Sequence, residues 1–316
     1  MNEQLSRKGL LHLSVVYVVW STTYLAIRIA VQAGGGFPPF ALGALRMAAA
    51  ALILLLIARL QGLRTRPTRA ELMPLAVAGN LMWCGGNGLV LWAEQYASSG
   101  FAALIVSSAP IWAAIIELFI YRKRPSVALI VSLFIGFTGV AILSMPSLGT
   151  RSSTDFSAVV ALLLSPLCWV LGSVLQARRP ADLAPQTMSG YHQLAAFFGF
   201  LIASLALGEP IPHPSAPAWL AWGYLVIFAS VGAFTSYLCA LRLLPMNIVM
   251  TYAYVNPVLA LFLGWLLLAE PITLRTLCGA GLVLLSVFAI FHVKQPMMPG
   301  NQQNIPDGES GPVEKA

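Results

Sequence analysis

Long apolar runs separated by short breaks dominate the pattern of hydrophobic and polar positions along the 316-residue chain. A helix needs about 20 apolar residues to cross a hydrocarbon core of about 30 Å. Most of the breaks carry charges or the turn-forming residues glycine and proline. The pattern predicts ten transmembrane helices, at residues 9–32, 38–60, 72–93, 98–120, 127–145, 157–177, 187–207, 217–241, 247–268 and 273–292.

The composition excludes a soluble globular protein. Hydrophobic residues make up 58% of the chain and charged residues only 9%, whereas soluble domains carry about 25% charge. The first apolar run, after Arg7 and Lys8, is too long for the core of a signal peptide and lacks a cleavage pattern. It is therefore expected to remain in the protein as the first transmembrane helix.

Lysine and arginine are distributed unequally between alternate loops. With the N-terminus in the cytoplasm, most of the 18 basic residues fall on the cytoplasmic side, only Arg151 and Arg275 fall outside, and Arg28 and Arg46 lie within helices. Membrane proteins keep such positive charge inside. The distribution predicts a multi-pass protein of the bacterial inner (cytoplasmic) membrane with both termini in the cytoplasm. The polar segment 293–316 is expected to be disordered.

The two halves of the chain share features at an offset of about 146 residues. Pro39 matches Pro185 near the starts of the second and seventh helices, and Arg46 matches His192. These similarities predict the duplication of a five-helix unit. Because five is odd, the two copies lie in opposite orientations, and the site is expected near the midplane between them. The predicted fold is an all-α integral membrane protein with ten transmembrane helices in two inverted five-helix repeats. Its parts are a cytoplasmic N-terminal tail (1–8), repeat 1 (9–145), repeat 2 (157–292) and a cytoplasmic C-terminal tail (293–316).

Short motifs are spread along nearly the whole chain. They are Trp20-Ser21-Thr22-Thr23-Tyr24 with Ile27-Arg28-Ile29, Pro38-Pro39 with Gly43-Ala44-Leu45-Arg46, Gly86-Asn87-Gly88 with Ala93-Glu94-Gln95, Ser99-Gly100-Phe101-Ala102-Ala103, and Thr251-Tyr252-Ala253-Tyr254-Val255-Asn256-Pro257. With them the chain resembles the EamA family of the drug/metabolite transporter superfamily, most closely its YedA-like branch. The resemblance implies transport, often export, of amino acids, other small metabolites or toxic compounds. Arg124 departs from the family pattern, which commonly has an acidic residue at the end of the fourth helix of a repeat. Glu270 follows that pattern in the second half.

Charged side chains inside a bilayer are costly and mark functional sites by default. Arg46 is the deepest, about eight residues or roughly 12 Å of helix rise from the predicted outer end of its helix. Arg28 and Glu94 lie nearer the outer ends of the first and third helices. One interpretation is a site for a carboxylate or another anionic group, gated by an ion pair between Arg46 or Arg28 and Glu94. The alternative is a structural salt bridge, which is the favoured interpretation for Arg28.

Polar and aromatic positions extend the set of candidates for substrate binding. Asn80, Asn87 and Glu94 follow one another at intervals of seven residues, which predicts a shared, inward-facing stripe on the third helix. The alternative is that they only make hydrogen bonds between helices. Aromatic or amide side chains elsewhere are candidates for lining a cavity, with simple packing as the alternative: Trp20, Tyr24, Trp169, Tyr252 and Asn256.

His192 is a candidate for proton coupling, because histidine changes its charge near neutral pH. Glu117 lies in the same half of the membrane and is its candidate partner. A hydrogen-bonded packing histidine is the favoured alternative. Candidates for coupling or gating are therefore His192, Glu117 and Arg28, with protons as the candidate coupling ion.

No pattern for a nucleotide-binding site, a hydrolase, a dinucleotide site or a metal site is found, so the chain is not expected to be an enzyme or to hold a cofactor. The four cysteines lie in apolar runs without metal-ligand spacing. The net charge of +7 is explained by its distribution between the two sides of the membrane, so nucleic acid is not an expected partner.

The leading hypothesis is a secondary transporter, with export favoured, for a small polar or amphipathic metabolite, preferably amino-acid-like. The alternative is a receptor or regulatory subunit on the same fold that does not transport. The short, featureless tails argue against that alternative. The expected partners are the lipid bilayer and a small-molecule substrate, and the oligomeric state is open, with a homodimer as one alternative.

Overall fold

A computed structural model describes residues 6–31, 35–93, 96, 99–121, 124–148, 156–178, 181–268 and 273–293. These residues are almost all helical and contain no β-strand. The helices are α1 (Arg7–Ala30), α2 (Pro39–Leu60), α3 (Arg69–Asn80, Leu81–Gly88 and Leu89–Ala93), α4 (Ser99–Val106 and Ala109–Tyr121), α5 (Val127–Leu148), α6 (Phe156–Arg178), α7 (Pro185–Ala206), α8 (Ala216–Tyr224, Leu225–Ala233 and Phe234–Leu243), α9 (Met246–Met250 and Tyr252–Leu268) and α10 (Leu274–His292).

The ten predicted transmembrane helices are confirmed, with ends that shift by a few residues. Four of them are both long and apolar enough to cross a membrane by length and composition alone: Pro39–Leu60, Phe156–Arg178, Ala216–Leu243 and Leu274–His292. Shorter apolar stretches at Leu104–Ile120 and Val127–Leu143 belong to α4 and α5. The chain is therefore an all-α integral membrane protein.

Equivalent helices in the two halves begin in the same way. Pro39 and Pro185 are the first residues of α2 and α7, and each follows an extended residue, Pro38 or Ala184. Proline suits the first helical position, because it lacks only an N–H group that would have no partner inside the helix. The sequence therefore marks the start of both helices with the same residue.

Helices from opposite halves pack in inverted pairs. The main pairs are α2 with α7 and α5 with α10, and each of these joins two equivalent helices. The contact of α3 with α6 has its counterpart in the contact of α8 with α1. This exchange of partners is the arrangement that two inverted five-helix repeats require.

Small residues allow these helices to touch through their backbones. A Cβ atom placed on Gly79 of α3 would lie 2.7 Å from the Cα of His192 in α7. A Cβ atom on Gly139 of α5 would lie 2.8 Å from the carbonyl oxygen of Gly279 in α10. Such close approach is a common way to pack helices in a membrane, where dispersion contacts replace the hydrophobic effect.

Irregular helical geometry occurs at equivalent places in both repeats. A π-helical segment interrupts α3 at Leu81–Gly88, and another interrupts α8 at Leu225–Ala233. The turns between the two segments of α4, at residues 107–108, and of α9, at residue 251, also match each other. Interrupted helices leave backbone groups free near the middle of a membrane, which is a common feature of transporter binding sites.

The N-terminus of α2 is capped by the other repeat. Both carboxylate oxygens of Glu209, in the loop between α7 and α8, accept hydrogen bonds, one from the backbone N–H of Phe40 at 2.9 Å and one from that of Ala41 at 2.7 Å. The Ser204 hydroxyl donates to the same carboxylate at 2.8 Å. The carboxylate thus satisfies two unpaired helix donors and lies at the positive end of the helix dipole.

The start of α7 is held in a corresponding way by the loop between α2 and α3. Arg64 forms an ion pair with Glu71 at 2.6 Å and donates to the carbonyl oxygen of Asp182 at 2.9 Å. Glu71 also accepts the backbone N–H of Asp182 at 3.1 Å, and the Thr187 hydroxyl donates to the carbonyl oxygen of Arg64 at 3.1 Å. The α2–α7 pair is therefore tied across the repeats at both ends.

The Arg64–Glu71 ion pair predicts a loss of stability in acid. Glu71 lies before the apolar run of α3, and hydrogen bonds from Arg64 and Thr68 lower its pKa from 4.5 to about 2. A carboxylate with a lowered pKa stabilises the folded state above its unfolded pKa, and this stabilisation disappears as the pH falls from about 4.5 to 2. We expect the thermal midpoint of the purified protein to fall more steeply across this range than that of Glu71→Gln. Parallel curves for the two proteins would contradict this role.

Candidate functional site

A cavity of about 100 Å³ lies between the two repeats, with walls from α1, α2, α3, α4, α6 and α9. It has room for several water molecules or part of a small solute. The structure brings six of the predicted site residues together around it: Trp20, Arg46, Asn87, Trp169, Tyr252 and Asn256. They come from five helices in both halves of the chain, so both repeats contribute to the cavity.

Arg46 is the charged group of this cavity among the described residues. It is 4% exposed, its Nε donates to the hydroxyl of Ser230 at 2.7 Å, and its guanidinium carbon lies 4.9 Å from the ring centre of Trp83. The terminal nitrogens have no hydrogen-bond or ion-pair partner in the described part of the chain. A buried cation without an anion costs on the order of several kcal/mol. The free donors of this guanidinium are chemically suited to an anionic group.

Three predicted residues cannot be placed against this cavity. Glu94, the predicted ion-pair partner of Arg46, lies outside the described residues. Tyr24 and Arg28 belong to α1, but their side chains lie outside the described part of the chain as well. The ion pair between Arg46 and Glu94, and the alternative of a substrate site at Arg46, therefore both stay predictions.

An aromatic cluster from four helices lies at the cavity and consists of Trp20, Trp169, Tyr237 and Tyr252. Trp20, Trp169 and Tyr252 line the cavity, and Tyr237 packs against all three. The ring of Trp20 meets Trp169 at 5.4 Å and Tyr252 at 4.9 Å, both edge to face. The indole N–H of Trp169 donates to the Tyr237 hydroxyl at 3.0 Å, and that hydroxyl also bonds Ser173 at 2.6 Å. Edge-to-face packing and satisfied polar atoms make this cluster rigid.

The amide of Asn256 provides a polar position opposite the arginine helix. Asn256 is 2% exposed, and its side chain lies 3.3 Å from the hydroxyl of Ser21 in α1. One turn earlier, the Tyr17 hydroxyl bonds that of Thr251 at 2.5 Å, at the interruption of α9. These contacts fix α1 against α9 and hold Asn256 at the edge of the cavity.

The structure gives two members of the predicted stripe on the third helix different surroundings. Asn87 lines the cavity, but Asn80 donates to the carbonyl oxygen of Ala76 at 3.0 Å and lies against Gly199 of α7. The seven-residue interval predicts a shared face only for a regular α-helix. The segment Leu81–Gly88, which follows Asn80 and contains Asn87, is π-helical and has more residues per turn. The seven-residue interval therefore does not align the two amides on one face.

His192 lies outside the cavity. It is fully buried, and neither ring nitrogen has a hydrogen-bond partner among the described residues. The nearest ring is that of Phe234 in α8, with centroids 5.9 Å apart. The structure thus does not join His192 to its candidate partner Glu117, which lies in α4. This arrangement does not support the interpretation of His192 as a packing residue held by hydrogen bonds. It also does not support a pair between His192 and Glu117.

Several residues of the site were not predicted from the sequence. Trp83 stacks on Arg46, Ser230 accepts its hydrogen bond, and Tyr237 joins the aromatic cluster. Trp83 had a usable signal, since it is a large aromatic residue in the glycine-containing stretch from Gly79 to Gly88. Ser230 and Tyr237 are ordinary residues in an apolar run, so only the packing of α8 identifies them.

The described residues contain no group of three or more histidine, cysteine, aspartate or glutamate side chains that could hold a metal ion. The cavity instead offers one cation, two amides and aromatic faces among its described lining residues. This set can bind an anionic group at one end and a planar or apolar group at the other. Its donors suit recognition of a solute, and these lining residues include no nucleophile paired with a base.

Comparison with known proteins agrees with this description. Residues 7–145 and 156–292 each match the EamA-like transporter family. The uncharacterized inner membrane transporter YedA of Escherichia coli K12 is 32% identical over 88% of this chain and 89% of its own length. An uncharacterized transporter of Archaeoglobus fulgidus is 26% identical over 88% of this chain and 96% of its own. A solved crystal structure with 20% identity shares the fold, with a TM-score of 0.74 over 89% of this chain and 95% of that one. The chain belongs to the EamA-like transporter family.

Proposed function

We propose that this transporter exports a small amphipathic metabolite that carries a carboxylate, with amino-acid-like compounds as the preferred class. The observation that carries the proposal is the buried guanidinium of Arg46, whose terminal nitrogens have no partner among the described residues of a cavity between the repeats. Arginine binds carboxylates through two parallel hydrogen bonds, which fixes both position and orientation.

The rest of the cavity supports an amphipathic partner for that carboxylate. Aromatic faces of Trp20 and Trp169 suit an apolar or planar part of the solute, and the amides of Asn87 and Asn256 suit a polar substituent. An aromatic face also attracts an ammonium group, which an amino acid carries next to its carboxylate. These features support the amino-acid-like class.

The same proposal includes two further points: transport is not driven by ATP, and its direction is outward. The chain contains no nucleotide-binding pattern, and inverted repeats around a midplane cavity are typical of secondary transporters. A location in the inner membrane, with both termini in the cytoplasm, is part of this proposal and is supported by the similarity to the inner membrane transporter YedA. The export direction is supported by the family resemblance.

Ligand-dependent stabilisation tests the proposal across a panel of candidate solutes. A ligand that binds only the folded state at 100 times its Kd stabilises it by about 2.7 kcal/mol. We expect the thermal midpoint of the purified protein to rise with some metabolites that carry a free carboxylate and not with the matched carboxamides. Equal responses to acid and amide would contradict the role of Arg46.

Counterflow in liposomes then separates transport from binding alone. A carboxylate that stabilises the protein should exchange as a labelled solute against its unlabelled form in proteoliposomes and not in empty liposomes. Binding without exchange would favour the alternative of a receptor or regulatory subunit on the same fold. No response to any compound of a broad panel, in a protein shown to be folded, would reject the substrate class.

A further inference from the structure

Seven buried polar atoms have no hydrogen-bond partner in the described residues, and all of them lie on three neighbouring helices. Helix α3 carries Nε1 of Trp83, and α7 carries both ring nitrogens of His192 and Oε1 of Gln193. Helix α8 carries Nε1 of Trp222, Oγ1 of Thr235 and Nε of Arg242. Buried polar groups are normally satisfied, so an unsatisfied one indicates that water or another partner reaches it in a different state. Both polar atoms of the His192 ring are unsatisfied.

Two aromatic rings separate His192 from the cation of the cavity. The guanidinium of Arg46 stacks on Trp83, Trp83 meets Phe234 at 4.9 Å, and Phe234 meets His192 at 5.9 Å. On the other side, the backbone of His192 is closed by Gly79, where a Cβ would lie 2.7 Å from its Cα. The imidazole is therefore sealed from the cavity and from solvent in this state.

No charged partner from the described residues reaches the imidazole. Helix α7 packs against α2, α3 and α8. The charged and titratable side chains of these helices in the described residues are Arg46 and Arg59 on α2, Arg69, Glu71 and Cys84 on α3, and Tyr224, Tyr237, Cys239 and Arg242 on α8. None of them hydrogen-bonds to His192. A proton on this ring would create a second unpaired buried cation near Arg46, so the sealed state requires the neutral imidazole.

The inverted repeat predicts a second environment for this histidine. Arg46 is the eighth residue of α2 and His192 the eighth residue of α7, and both helices start at a proline. The predicted topology places Arg46 nearer the outer face and His192 nearer the cytoplasm. In an inverted-repeat transporter, the two access states arise when one repeat moves against the other around the site. By this symmetry, a state open to the cytoplasm is expected to give His192 the place that Arg46 has here, on the wall of the cavity.

We propose that His192 is a proton-binding site, which takes up a proton when it lines the cavity open to the cytoplasm and must lose it before the state described here can form. Protonation then favours the cytoplasm-facing state, and the imidazolium offers a solute carboxylate a second cationic partner on that side. The proposal rests on the proposed transport function for its alternating states. It needs only a proton from water as ligand.

A cysteine placed beside His192 reports the access state without any substrate. Ser189 is fully buried, lies one turn before His192 on α7, and accepts a hydrogen bond from Gln193 at 3.0 Å. Ser189→Cys is introduced after the four native cysteines are replaced by alanine. Modification by a water-soluble maleimide is measured in inside-out vesicles between pH 8 and pH 6. The exposed Gln61→Cys corrects for the pH dependence of thiol reactivity.

We expect the corrected rate at Ser189→Cys to rise about tenfold as the pH falls from 8 to 6, because this range spans the titration of an accessible histidine. Adding His192→Gln should remove the pH dependence, with His192→Asn in its place if the glutamine variant does not fold. Adding His292→Gln, at the end of α10, should leave it unchanged.

A flat corrected rate with His192 present overturns the proton site, and so does a rise that survives in the His192→Gln variant. Because no solute is used, these outcomes are independent of the substrate proposal. Counterflow of a carboxylate together with a flat rate would leave transport intact and remove only proton binding. A pH-dependent rate without any response to carboxylates would support proton binding and reject the carboxylate substrate.

Discussion

Arg46→Ala is expected to abolish carboxylate counterflow, with a rate at least 100-fold below that of the wild-type protein. The terminal nitrogens of Arg46 lack partners in the described residues, so the substitution removes the charge-assisted hydrogen bonds that a bound carboxylate would receive. Arg46→Lys should keep part of the activity, because an ammonium retains the charge but not the bidentate geometry. Initial rates of labelled-solute exchange in proteoliposomes measure both effects.

The stability of Arg46→Ala distinguishes a substrate site from a structural ion pair. Breaking a buried ion pair by removing one partner costs about 3–5 kcal/mol. If Arg46 instead waits for a substrate, its loss removes an unpaired buried cation, and we expect the ligand-free protein to be no less stable than the wild type. Thermal unfolding without ligand measures this difference. A large destabilisation would show that Arg46 serves a salt bridge, with Glu94 as the sequence predicts.

Arg59→Ala provides the matched control on the same helix. Arg59 lies in the last turn of α2 and is exposed. Its substitution should leave exchange rates and ligand-dependent stabilisation at the wild-type level. Equal losses in Arg46→Ala and Arg59→Ala would indicate a general effect of removing positive charge from α2.

Gly79→Ala is expected to produce the largest loss of stability among single methyl additions in the helix contacts. The new Cβ would lie 2.7 Å from the Cα and 2.8 Å from the carbonyl carbon of His192, and backbone atoms cannot rotate away. Overpacking of this kind costs about 1–3 kcal/mol or more, and it would push α3 away from α7. Thermal unfolding and the monodisperse fraction after purification measure the effect.

Gly223→Ala is the control for the helical preference of alanine. A Cβ at Gly223 of α8 meets nothing within 4 Å. Alanine is favoured over glycine inside a helix by about 1 kcal/mol, so Gly223→Ala should be neutral or stabilising. A similar loss in both variants would mean that glycine is needed for its flexibility and not for the close contact of two helices.

The sequence predicts the membrane architecture because the signals for it are local and redundant. The length of each apolar run defines a helix. The basic residues of alternate loops indicate an even number of helices, and the matching prolines Pro39 and Pro185 indicate a duplication. Arg46 was recognised because a charge inside an apolar run is visible whatever its neighbours in space are. Its contacts with Trp83 and Ser230 depend on helix rotation, which a sequence of this kind does not reveal.

Departures from regular helix geometry explain what the sequence could not predict. The face assigned to Asn80 and Asn87 assumed 3.6 residues per turn throughout, and the π-helical segment breaks that assumption. The cap that Glu209 provides for α2 joins residues 169 positions apart, so no local motif announces it. Such long-range contacts arise from packing of the two repeats.

The order in which the chain is synthesised determines when the cap on α2 can form. Ribosomes release the N-terminal half first, so α2 enters the membrane well before Glu209 has been synthesised. Until then, the first turn of α2 has donors that only water or lipid headgroups can satisfy. Repeat 1 on its own therefore lacks the cap of α2. The pair α2–α7 can assemble completely only after the loop that follows α7 has been translated. Quality control in the cell would encounter chains stalled before Glu209 as incompletely assembled.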